Sequence, residues 1–167
     1  MESLNKDYHR NVKSDLLGKQ CRELQKKVEG SYKMTTRKEF VNILEQEGNE
    51  KDFNYKGYDC HIRRVGIPYM GHLCGYIEIP KTHSLYRKDY GTIEKIYDYE
   101  LPAHGGLTFS EFVNNEYWIG FDCAHTGDLL PMFAGKEFYI PNNNDTYKTM
   151  EFVENNIKEI IDFIERS

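Results

Sequence analysis

The stretch YDCHIRRVGIPYMGHLCGYIEI, residues 58–79, decides the fold class of this chain. Tyr58 to Val65 and His72 to Ile79 are short runs rich in Tyr, Ile, Val and Cys, and the Gly and Pro between them interrupt the pattern where a turn belongs. Side chains alternate across a strand, so His72, Cys74 and Tyr76 share one face and Leu73, Gly75 and Ile77 the other. In the first run Cys60, Ile62 and Arg64 likewise share a face. That places Arg64 on a side suited to burial, and a buried guanidinium demands an anion, either an internal carboxylate such as Asp122 or a bound phosphate.

Downstream, the same composition predicts strands over Ile93 to Leu101, Gly106 to Phe112 and Tyr117 to Phe121. Pro131 to Asn144 reads as an irregular loop. From Asp145 to Ile164 the period changes, with Met150, Val153, Ile157, Ile160, Ile161 and Ile164 at helical spacing and Asp145 or Thr146 as the cap. Upstream, Thr36 and Glu39 form a capping-box pattern before Phe40, Val41, Ile43 and Leu44, and Gly48 is the stop. Leu16, Leu17, Cys21, Leu24 and Val28 predict a further amphipathic helix from Ser14 to Val28. Helices, then strands, then a long helix give an α+β fold, a mostly antiparallel sheet with N-terminal helices and a C-terminal helix packed on it. The polar stretch Glu29 to Thr35 marks a boundary between a helical extension, residues 1–34, and a single domain, residues 35–167.

With 167 residues, 39% of them hydrophobic and 29% charged, one core is expected and no staple is needed to hold it. Twenty-two Lys plus Arg against 27 Asp plus Glu give a net charge of -5, which opposes tracking of a long nucleic acid. A small anion held by a few basic groups is compatible with that balance. No apolar run is long enough to span a bilayer or lead secretion, so no membrane partner and a cytoplasmic setting are expected. Cys21, Cys60, Cys74 and Cys123 form no C-x-x-C pair and read as thiols. No metal signature is present, and no cofactor is assignable.

The residues that carry chemistry collect in the strand region. His61, His72, His83, His104 and His125 all lie there, and only His9 lies outside. In WIGFDCAHTGD, Trp118 to Asp128, a strand ends and Asp122, His125 and Asp128 follow at spacings of three, so one helical turn would bring them to one face. A carboxylate beside an imidazole fixes its tautomer and suits a general base or a metal ligand. The same residues also suit a plain turn, with Asp122 capping it and His125 bound to buried carbonyls. In HGGLTF, His104 to Phe109, Gly105 and Gly106 allow backbone N–H groups close to a ligand, or simply a tight turn with a bulge. His104, Asp122, His125 and Asp128 are the candidate catalytic groups. Arg64, His72, Tyr76, His83, Tyr86, Gly105, Gly106, Thr108 and Trp118 are the candidate ligand contacts.

Taken in order, Cys60-x-Ile-x-Arg64, Gly71-His-x-Cys-Gly-Tyr76, Pro80-x-x-His83-x-x-Tyr86, His104-Gly-Gly-Leu-Thr108 and Trp118-x-Gly-Phe-Asp-x-Ala-His-x-Gly-Asp128 resemble an uncharacterised family of small tailed-phage and prophage proteins. The resemblance covers roughly residues 58–128 and the closing helix. The chain departs from that pattern at Ser84, where proline is usual, and at Phe109, where tyrosine is usual. The resemblance implies a phage setting, in the host cell cytoplasm, and a site; it transfers no reaction.

Three functions fit these residues. The first is a pocket for a small nucleotide-like ligand, such as a host defence signal sequestered by a phage protein, with aromatic faces for a base and Arg63, Arg64 and glycine N–H groups for phosphate. The second is a His/Asp-dependent, metal-assisted or metal-free hydrolase or phosphodiesterase; a cysteine nucleophile, Cys60 or Cys74, has no supporting signature. The third is a structural or host-protein-binding module, for which the acidic surface and N-terminal amphipathic helix also suit a homo-oligomer.

Overall fold

The computed structural model describes residues 31–32, 43–66, 71–133 and 145–167. Its centre is a five-stranded antiparallel sheet in the order β2-β3-β4-β6-β5, built from β2 (Glu50–Tyr55), β3 (Tyr58–Arg64), β4 (Leu73–Glu78), β5 (Phe109–Val113) and β6 (Glu116–Asp122). The fold is α+β. The opening pair aligns Ile62 with Gly75 and His61 with Tyr76, and β4 sets Tyr76 beside Gly120 of β6. Both hairpins turn on two residues at positive φ, Lys56 and Gly57 between β2 and β3 and Asn114 and Asn115 between β5 and β6, the geometry that matches strand twist.

The face bearing Cys60, Ile62, Leu73, Ile77, Ile119 and Phe121 is buried. Over it lies helix α2 (Met150–Arg166), whose Val153, Ile157, Ile160, Ile161 and Ile164 are also buried. Each such side chain contributes roughly 1.5–3 kcal/mol of burial. The helix approaches closely because β4 has no side chain beneath it at Gly75, where a Cβ would stand 2.9 Å from Val153 and 2.8 Å from Phe121.

Two expectations are corrected, and one strand is added. Ile93 to Leu101 is no strand: Asp89 caps helix α1 (Tyr90–Ile96) by accepting from the Thr92 N–H at 3.0 Å, and Asp98 and Tyr99 then reverse the chain at positive φ. The strand β2 was not separately foreseen, because Glu50, Lys51 and Asp52 give an edge strand little apolar alternation. Helix α2 starts at Met150 with Thr149, not Asp145 or Thr146, as its cap. Thr146 is instead held extended, bridging Asp128, and Tyr147–Lys148 form β7, paired with β1 (Ser31–Tyr32). Of the predicted Pro131 to Asn144 loop, Pro131–Phe133 is a 3-10 turn and the rest lies outside the described residues.

The helix foreseen from Thr36 is seen at residues 43–47, and Gly48, at φ +75°, ends it with its N–H on the Leu44 carbonyl at 3.3 Å. The N-terminal helix expected from Ser14 to Val28 lies outside the described residues. Among the described residues no helix is long and apolar enough to cross a membrane.

Candidate functional site

His104, His125 and Asp128 meet. His104 enters from the turn between α1 and β5, and His125 and Asp128 from the turn that follows β6. One ligand-type atom from each lies within 4.8 Å of the others. Nε2 of His104 lies 2.9 and 3.0 Å from the two oxygens of Asp128, and the backbone N–H of His125 donates to Asp128 Oδ2 at 2.9 Å. Burial alone would raise the Asp128 carboxyl; the bonds from His104 and the His125 N–H, together with the Lys148 ammonium 3.7 Å away, outweigh it and hold the group below the ordinary carboxylate value. An ionised Asp128 only accepts, so Nε2 of His104 carries the proton in this arrangement.

Nδ1 of His125 is buried and, among the described residues, has no hydrogen-bond partner. It stands 3.6 Å from Asp128 and 3.9 Å from Asp122. The ring is fixed from behind, because a Cβ on Gly105 would overlap it. His104 is fixed by edge-on contacts with His125 at 5.3 Å and Phe152 at 5.2 Å. Asp122 accepts from the Ala124 N–H at 3.0 Å, so it does cap the turn, as the plainer reading of the sequence has it.

Three residues that sequence reasoning missed position this group. Asn156, buried on α2, accepts the His104 N–H at 2.8 Å and donates to the Pro102 carbonyl at 2.5 Å. Glu94, buried on α1, accepts the Leu107 N–H at 2.6 Å and so anchors the far side of the glycine pair. Lys148 reaches Asp128 from β7. The available signal was an Asn within the apolar stripe of the closing helix, flanked by Val153, Ile157 and Ile160.

The other candidates do not join them. Arg64 has a fully buried side chain and pairs internally, donating to Glu47 at 3.2 Å, Tyr147 Oη at 2.9 Å and the Gly71 carbonyl at 3.2 Å. Its anion is Glu47, not Asp122 or a phosphate. Glu47 also accepts from Tyr147 Oη at 2.6 Å and from the Met150 N–H that opens α2. His83 is held in its own turn, its Nδ1 accepting the Leu85 N–H, and burial lowers its pKa. Tyr86 packs on Phe112 and Tyr117, and the exposed Thr108 donates its backbone N–H to Gly120. His72, half-buried, precedes β4. Burial pushes the Cys74 thiol up to about 11 and Cys60 to about 12, so neither serves as a thiolate near neutrality.

Tyr76 and Trp118 belong to a second place. On the sheet face away from α2 they border a groove of about 440 Å³ with His61, Arg63 and Phe109. Gly120 lets Tyr76 lie flat there, since a Cβ would stand 2.6 Å from its ring. Phe109 meets Tyr76 edge-on at 5.2 Å. The groove also carries Asp52, Glu111 and Glu116, so carboxylates outnumber its one arginine. Gly105 and Gly106 border a separate cavity of about 520 Å³ with Tyr90, Glu94 and Leu101, and none of His104, His125 and Asp128 lines it.

No protein-family model, curated protein or solved structure matches this chain.

Proposed function

We propose that this protein is a hydrolase of a small nucleotide-like phosphoester, working through His104, His125 and Asp128. One observation carries the reading: two imidazoles from separate turns converge on one buried carboxylate, and one of their nitrogens has no hydrogen-bond partner among the described residues. Hydrolysis requires that water lose a proton as its oxygen bonds to phosphorus, and that the leaving oxygen gain one as its bond breaks. Two imidazoles on one carboxylate supply both ends of that transfer.

The test is conversion. Purified protein is incubated with cyclic and linear nucleotides and the products are separated by chromatography; His104→Ala and His125→Ala are each expected to slow conversion by about 10²-fold or more. Recovery of every nucleotide unaltered sinks the reading, as does equal conversion by the variants.

A second reading, binding without turnover, is favoured by the aromatic groove on the open sheet face. Its stacking surfaces suit a planar base, while its carboxylates suit a nucleoside better than a polyphosphate. Retention of an unaltered ligand, lost in Trp118→Ala, would support it. In the phage setting that the sequence resemblance implies, the hydrolase would remove a host defence nucleotide.

A further inference from the structure

We infer that His104, His125 and Asp128 bind one divalent transition-metal ion of the zinc class. The binding stands on geometry alone; only the ion's catalytic role rests on the hydrolase reading. Protein donors about 2.0–2.1 Å from such an ion, and 90–120° apart around it, lie roughly 2.9–3.6 Å from one another. Asp128 stands 2.9 Å from Nε2 of His104 and 3.6 Å from Nδ1 of His125. Both separations fall in that range, and the three donor atoms all lie within 4.8 Å of one another.

Hydrogen bonding alone accounts for half of the cluster. His104 and Asp128 satisfy each other, but His125 turns a buried nitrogen toward two carboxylate oxygens at distances too long for a hydrogen bond. The ring packs closely on Gly105, where a Cβ would overlap it. A cation between nitrogen and carboxylates explains the arrangement, with the nitrogen lone pair and an Asp128 oxygen both directed at it. Binding requires Nε2 of His104 to give up its proton to solvent and present a lone pair, the usual proton release of a metal site.

Two imidazoles and one carboxylate favour zinc, cobalt or nickel over magnesium or calcium, which take all-oxygen sets. Asp122, 3.9 Å from His125, provides a second carboxylate at the edge of the set. Lys148 already offsets one of the two acidic charges, so a divalent ion leaves the site at a net charge of +1. Three protein donors leave a position for water, as catalytic rather than structural zinc sites do. With the ion bound, the two imidazoles would hold it instead of carrying protons as in the metal-free scheme, and the water acidified by the ion would be the nucleophile.

Untagged full-length protein, stripped with EDTA and dialysed, is titrated with ZnCl2 by calorimetry and with CoCl2 by visible absorption. One ion per chain is expected, with cobalt bands of a low-coordinate nitrogen/oxygen site. His104→Ala and His125→Gln are each expected to weaken zinc about tenfold or more, with unchanged far-UV circular dichroism. No saturable binding of either metal, or full affinity in both variants, overturns the site. One zinc held by these residues without any nucleotide turnover upholds the site and removes the hydrolase reading. Turnover that survives EDTA, with no saturable zinc binding, removes the site and upholds the hydrolase.

Discussion

Arg64 shows what a single residue's pattern does and does not reveal. Alternation along β3 correctly placed it on the buried face, and burial correctly demanded an anion. The choice of anion was not legible, because Glu47 lies seventeen residues away in a different element and approaches only through the tertiary fold. Arg64→Ala strands a carboxylate that also holds Tyr147 and the first N–H of α2. The expected cost is about 3–5 kcal/mol in denaturant titration, and any ligand affinity remaining in the folded fraction should be unchanged. Gly105 makes the complementary case. It sits at φ +70° with the His125 ring against it, so Gly105→Ala combines a left-handed strain of about 1–2 kcal/mol with displacement of the imidazole. Both a lower melting temperature and loss of nucleotide conversion are expected, whereas Gly57→Ala, a turn glycine with open space around it, should lower stability alone.

At the scale of elements, the closing helix was the most legible part. Val153, Ile157, Ile160 and Ile164 repeat at its period, and all are buried where the period puts them. Helix α1 was misread because seven residues give too little periodicity to outweigh their apolar character, and the informative residue was the Asp89 cap before them. The convergence of His104 with His125 and Asp128 was readable only as two unusual motifs. Their meeting depends on Asn156, 52 positions away. Helix α2 also offers a pH test. Burial would raise the Glu154 carboxyl, but Lys158 at 2.7 Å and Lys51 at 2.5 Å hold it below the ordinary carboxylate value. A depressed carboxyl contributes stability above its unfolded pKa and loses it as pH falls through its folded one. Glu154→Gln should therefore cost less than about 1 kcal/mol near pH 7, and a difference that shrinks as pH falls through and below the ordinary carboxylate range, measured by thermal melts across the series, is the expected outcome.

Among the described residues, the sheet has one covered and one open face, and the two candidate places divide along that line. The covered face ends in the turns that carry His104, His125 and Asp128, where α2 supplies Asn156 and Phe152. The open face carries Tyr76, Phe109 and Trp118 with three carboxylates. Period-two alternation already assigned Tyr76 to the face opposite Leu73 and Ile77. It could not say whether a second layer packs on this face, since that is decided by every element of the chain together.

The amide of Asn156 has a consequence for how the protein would fail. One side chain of the closing helix grips the loop at His104 N–H and Pro102 carbonyl, so the placing of His104 is coupled to the hydrophobic seam beneath it. Heating should extinguish conversion and helical ellipticity on a single curve, with no inactive yet folded plateau between them; Asn156→Ala, by loosening that grip, should split the curve in two, activity failing first.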